Sequence, residues 1–69
     1  MLKFAIELVK GDDRTVLQLF DTKESAMAAG PLYRSRYAPT QGLIGCTSAE
    51  FDTNNQRINH FYRIHGAWT

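Results

Sequence analysis

The side chains with the most potential for chemistry are one cysteine and two histidines, Cys46, His60 and His65. These are the groups that bind zinc, which takes four ligands in structural sites. His60 and His65 are five positions apart, so a continuous β-strand places them on opposite faces of a sheet. We therefore expect no metal site, and we expect Cys46 to be a small buried hydrophobic residue rather than a nucleophile.

Catalytic groups are equally sparse. Ser48 or Cys46 beside a histidine would need a third orienting group and a cleft, which a single helix on a small sheet rarely forms. The carboxylates of Asp12 and Asp13 lie in a predicted turn, where a solvated loop is the simpler interpretation. Residues 42–45 lack the glycine spacing and the Lys-Ser/Thr pair of a phosphate loop. The prediction is a protein that is not an enzyme and uses no cofactor.

The length and charge of the chain favour one small domain. It has 69 residues, one cysteine and a formal net charge of +1, so the predicted domain is residues 1–69 and no disulfide forms within it. A domain of this size buries only about 60% of its unfolded surface and is marginally stable alone, which favours a homodimer. The sequence offers neither a signal peptide nor about 20 consecutive apolar residues, so we expect a cytoplasmic protein without membrane contact.

Alternating polarity predicts a β-hairpin at the start of the chain. Residues 2–9 place Leu2, Phe4, Ile6 and Leu8 on one face, and residues 11–13 have the composition of a turn. The second strand spans residues 14–20. Its inward face is ambiguous, because either Leu17 and Leu19 or Val16 and Phe20 could contact the core.

A helix follows the hairpin. Asp21 is the predicted N-cap, with Glu24 three residues later in the position of a capping box. The helix continues toward Tyr37, and its apolar stripe comprises Ala26, Ala29 or Gly30, Tyr33 and Tyr37. Pro31 interrupts this pattern, so we expect either a kink or a break with Pro31 opening a second short turn.

Two more strands complete the chain, at residues 43–51 and 57–65, with a polar turn between them. The predicted fold is therefore α+β, with the order ββαββ and one helix packed on one face of a four-stranded antiparallel sheet. Short connections favour the strand order 2-1-3-4 or 1-2-4-3. A single helix covers one face, so we expect the other face to be open.

The last strand carries the predicted interaction residues. Arg57, Phe61, Arg63 and His65, with Lys3 nearby, would form a basic face with one aromatic ring. Trp68 would fold back onto the helix or enter a neighbouring subunit, because a large ring is costly to leave in water.

Two functions remain open at this point. The first is a non-catalytic protein-interaction module that self-associates through the open sheet face or a strand edge, with Arg57, Phe61, Arg63 and Trp68 as interaction residues and a further, unidentified protein partner. The alternative is a weak single-stranded nucleic-acid-binding protein that uses Arg57, Phe61 and Arg63. A net charge of only +1 argues against strong binding to nucleic acid.

Three segments also carry a resemblance: DTKESA at 21–26 with Tyr33 and Tyr37, GLIGCTSAEFD at 42–52, and YRIHGAW at 62–68. They resemble short uncharacterised proteins encoded on conjugative and other mobile elements of Gram-positive gut bacteria. The resemblance covers most of residues 15–69, and its motifs are structural rather than chemical. It implies an accessory protein of a mobile element and carries over no site residues.

Overall fold

The computed structural model confirms an α+β fold with the order ββαββ. Its elements are β1 (Leu2–Lys10), β2 (Asp13–Phe20), α1 (Lys23–Tyr37), a 3-10 turn (Ala38–Thr40), β3 (Leu43–Phe51) and β4 (Arg57–Trp68). The strands form one antiparallel sheet in the order β2-β1-β3-β4, one of the two predicted orders. The structure describes the backbone of all 69 residues and the side chains of residues 1–58 and 63–69.

The predicted alternation of β1 is confirmed, and β3 alternates in the same way. Their helix-side residues form the main core with α1, and Ile6, Ile44 and Cys46 are at most 1% exposed. The helix contributes the predicted stripe, in which Ala26 and Gly30 are buried and the two tyrosines are half-buried. The small residues let the helix backbone lie close to the sheet.

The N-cap of α1 is one residue later than predicted. The Thr22 hydroxyl oxygen accepts a hydrogen bond from the Ser25 backbone N–H at 3.2 Å, so Thr22 and not Asp21 caps the helix. Asp21 follows directly after β2, where its carboxylate lies 2.6 Å from the Lys3 ammonium group on β1. The prediction of Asp21 as the cap was wrong because this cross-strand ion pair takes its carboxylate away from the helix.

The two positions can be separated by mutation. Thr22→Ala should lower the free energy of unfolding by about 1 kcal/mol, because it leaves a first-turn N–H without its acceptor. Asp21→Ala should cost less than about 0.5 kcal/mol, because its side chain is 82% exposed and solvent screens the ion pair. Urea unfolding of both variants measures the difference, and a larger loss for Asp21→Ala would contradict the assignment of the cap.

Pro31 lies inside α1, and the helix continues through it to Tyr37. Of the two alternatives predicted for Pro31, the break is therefore excluded, and one helix contains the proline, as the predicted fold requires. Proline at this position cannot donate a hydrogen bond to the Met27 carbonyl. The residues on either side of it, Gly30 and Tyr33, pack against the sheet, and this burial keeps the chain helical beyond the missing bond.

β2 contains a register shift, so its side chains do not alternate regularly between the two faces of the sheet. The pairing with β1 changes between Ile6 and Glu7, so β2 contains an irregularity around Leu17. Leu17 and Phe20 pack on the helix side, whereas Leu19 packs on the opposite face. Neither of the two alternating sets that the sequence offered is realised as a whole.

The face of the sheet opposite the helix, here called the far face, is closed over its centre. Ala5, Ala49 and Phe51 form a second cluster in which no member is more than 4% exposed, and Leu19 packs against it. The sheet curls, and β2 and β4 both carry register shifts of the kind that increase strand twist. The expectation of an open second face is therefore wrong for this central part.

Candidate interaction surface

Glu7 is the centre of a polar network on the far face. Its side chain is 1% exposed, and one of its carboxylate oxygens accepts hydrogen bonds from Arg14 Nη2 at 2.7 Å and Thr47 Oγ1 at 2.6 Å. The other oxygen accepts from Arg57 Nη2 at 3.2 Å. Glu7, Arg14, Thr47 and Arg57 come from β1, β2, β3 and β4 respectively, so one carboxylate links all four strands.

This network is a structural feature that the sequence analysis missed. The alternation of β1 places Glu7 on the face opposite to Phe4, Ile6 and Leu8 and by itself indicates no partner for it. A signal was present, because Glu7 lies between Ala5 and Val9 on the same face, and a charge among small apolar residues needs a partner when that face is buried. Its partners are distant in sequence, and Arg57 is 50 residues away.

The predicted basic face on β4 is not assembled as a unit. The Arg57 guanidinium carbon lies 5.5 Å from the centre of the Phe51 ring on the far face, and Arg57 is paired with Glu7. Arg63 is directly opposite Ser48 in the ladder, which places it on the helix side. A shift of the β3–β4 register between Ala49 and Phe51 separates the two arginines.

The remaining members of that face are also separated. The Lys3 ammonium group is paired with Asp21. His65 lies on the helix side, where its ring centre is 5.5 Å from that of Phe4. The side chains of Phe61 and His60 lie outside the described residues, so the role predicted for Phe61 stays a prediction.

His65 and Ser48 form a serine–histidine contact of the kind that the sequence analysis considered for catalysis. Ser48 Oγ lies 2.9 Å from His65 Nε2. Desolvation, followed by the nearby charges of Lys23 and Arg63, lowers the pKa of His65, which favours the neutral imidazole. Ser48 is 7% exposed, and the pair forms a polar contact between β3 and β4.

Cys46 is fully buried in the main core, as predicted. Burial is the largest cause of the raised pKa of its thiol, which favours the protonated form of the sulfur near neutral pH. Among the side chains that the structure describes, no three His, Cys, Asp or Glu residues are grouped as metal ligands.

Trp68 folds back onto the helix, which was one of its two predicted positions. It pairs with Ile44 in the ladder and packs against the main core. The six-membered part of its indole ring lies over Gly30, where an added Cβ would approach the ring to 2.3 Å. The ring therefore holds β4 to α1 within the chain.

Exposed aliphatic side chains mark the outer strand of the sheet. β4 is an edge strand, because it has a neighbouring strand on one side only. Its side chains Ile58 and Ile64 are 60% and 66% exposed. Ile64 also lines a cleft of about 270 Å³ on the far face, here called the β4 cleft, together with Val9, Leu43 and Ala67.

No family model, no curated protein and no solved structure matches the chain. In the part of the chain that the structure describes, α1 is too short and too polar to cross a bilayer. The functional assignment therefore depends on the geometry of the sheet and its exposed edge.

Proposed function

We propose that the protein is a non-catalytic protein-interaction module that forms a homodimer through the outer edge of β4. The observation that carries the proposal is the exposure of Ile58 and Ile64 on an edge strand. An edge strand presents backbone groups that can pair with another chain, and exposed apolar residues beside them favour association. Burying one isoleucine contributes roughly 1.5–3 kcal/mol, so two per protomer supply a substantial part of a dimer contact.

The edge replaces the open sheet face as the contact surface. The centre of the far face is filled by the chain's own Ala5, Ala49 and Phe51, and the Trp68 ring contacts Gly30 of the same chain. The exposed isoleucines add side-chain contacts beside the backbone groups of this edge. Of the four predicted interaction residues, Arg63 lies beside Ile64 and is exposed at this edge.

The nucleic-acid alternative is less favoured by the geometry. Arg57 is paired with Glu7, and Arg63 lies on the opposite face, so the two do not act together on one strand of nucleic acid. Salt-sensitive binding of a labelled oligonucleotide tighter than about 10 μM would reverse this preference, because phosphate contacts release counterions. The resemblance to mobile-element proteins would make the homodimer a cytoplasmic accessory protein with a further protein partner.

Sedimentation velocity on matched variants tests the proposal. The native chain should sediment as a dimer at high concentration, and Ile64→Lys or Ile58→Lys should weaken the dimer at least tenfold, because each places a charge in the apolar contact. Leu32→Lys is the control, since Leu32 is 72% exposed on α1 and should leave association unchanged. A native chain that stays monomeric, or equal effects of all three variants, would contradict the proposal.

A further inference from the structure

A row of paired residues crosses the helix side of the sheet and ends at a basic residue on β4. Phe20 of β2 is opposite Phe4 of β1, Phe4 is opposite Ser48 of β3, and Ser48 is opposite Arg63 of β4. Directly opposite residues of an antiparallel pair point to the same face, so Arg63 shares the helix side with Phe4. α1 begins three residues after Phe20, at Lys23, so its first turn starts near this row.

His65 lies over this row, beside basic groups from two elements. Its Nε2 atom is 2.9 Å from Ser48 Oγ, and its ring centre is 5.5 Å from that of Phe4. Desolvation and then the charges of Lys23 and Arg63 lower the pKa of His65. A cation on α1 and a cation on β4 therefore both act on one imidazole. Lys23, Arg63 and His65 are here called the basic cluster.

The two permanent cations of the basic cluster have no carboxylate partner among the side chains that the structure describes. None of the ion pairs between those side chains includes Lys23 or Arg63, and both residues are exposed. The sequence of β4 contains no Asp or Glu, so its own strand offers Arg63 no acidic neighbour. Two cations beside a histidine without a counter-charge create a positive field, in which a bound anion is stabilised.

We propose that the basic cluster binds a phosphate dianion, either inorganic phosphate or the phosphate group of an ester. Arg63 offers a guanidinium fork that matches two phosphate oxygens, and Lys23 offers a point charge, so their two charges match those of the dianion. The cluster lies on the helix side, whereas Ile64 lines the far face. The site therefore goes beyond the proposed homodimer and does not use its apolar contact.

A titration with inorganic phosphate tests the site, at a constant ionic strength set with sodium chloride. The amide NMR shifts of Lys23, Arg63 and His65 should change saturably, with half-saturation at about 1 mM. Acetate should bind at least tenfold more weakly, because it carries a single charge. Equal binding of acetate and phosphate, or no saturable binding of phosphate, would overturn the proposal.

The same titration with O-phosphoserine distinguishes the two sources of the phosphate group. Binding at least as tight as that of inorganic phosphate supports a site for phosphate esters. Weaker but saturable binding at the same amides supports a site for the free anion.

Three variants that each remove one positive charge locate the site. Lys23→Gln and Arg63→Gln should each weaken phosphate binding at least fivefold, and both should keep the native fold because these side chains are exposed. Lys10→Gln is the control, since Lys10 is exposed at the end of β1 and should leave binding unchanged. Equal weakening by all three variants would show an effect of net charge alone and would overturn the proposal.

The His65 imidazole gives a readout that a merely structural role would not move. Sulfate has the shape of phosphate and keeps both charges between about pH 5 and 8, where histidine titrates. Saturating sulfate should raise the pKa of His65, followed by its ring proton shifts, because a bound dianion favours the imidazolium form. By linkage, sulfate should bind more tightly as the pH falls through this range. A His65 pKa that sulfate leaves unchanged would contradict the proposal.

Discussion

Glu7→Gln should lower the free energy of unfolding by about 3–5 kcal/mol. The substitution keeps the shape of the side chain but removes the negative charge that both Arg14 and Arg57 contact, and these two arginine side chains are about three-quarters buried. A domain of 69 residues has a total stability of about 3–10 kcal/mol, so this variant should be largely unfolded or melt far below the native chain. Thermal and urea unfolding followed by circular dichroism measure the loss.

Glu50→Gln is the matched control for this variant. Glu50 is also a strand glutamate with an ion pair, to the Met1 ammonium group at 2.9 Å, but its side chain is 49% exposed. It should cost less than about 0.5 kcal/mol. Similar losses for the two glutamine variants would show that the Glu7 network does not hold the four strands together.

Gly30→Ala should destabilise the protein, although helix propensity alone predicts a gain of about 1 kcal/mol. The added methyl group would lie 2.3–2.5 Å from three atoms of the Trp68 ring, so the ring or the helix has to move. We expect a net loss of about 1–3 kcal/mol, as for other overpacked cores. Ala28→Gly, at an exposed position of the same helix, should show the ordinary propensity cost of about 1 kcal/mol.

A double-mutant cycle assigns the effect to the ring. Trp68→Leu removes the atoms that Gly30→Ala would meet, so the alanine should cost less in the Trp68→Leu background than in the native one. Trp68→Ala alone should cost about 3 kcal/mol, because it opens a cavity under α1. Purely additive losses in the cycle would show that Trp68 and Gly30 are not in contact.

The regular parts of the fold could be predicted because short-range patterns determine them. Alternation placed Phe4, Ile6 and Leu8 on one face of β1, and that face contacts the core. The predicted apolar stripe of α1 contains the buried residues Ala26 and Gly30. The sequence left a kink or a break at Pro31 open, because local rules do not include the tertiary burial that keeps α1 in one piece. The cap was wrong because the partner of Asp21 is on another strand.

The site could not be predicted to the same extent because it depends on register. Register shifts are not visible in an alternating sequence, yet one of them turns Arg57 toward Glu7 and leaves Arg63 on the other face. The same irregularities curl the sheet, which buries Phe51 where an open face was expected. Glu7 is the residue that indicates a closed far face, because a charge on a buried face needs a partner.

The most direct measurement of the central claim is a map of backbone amide shifts as the native protein is diluted. If the far face is closed and the edge is exposed, the amide shifts of Ile58 and of residues 63–65 on β4 should change on dilution. These changes should stop when the dimer has dissociated fully. The amides of Ala5 and Ala49 should not change, because the chain itself covers them. Changes centred on Ala5 and Ala49, or no changes at any concentration, would contradict the account.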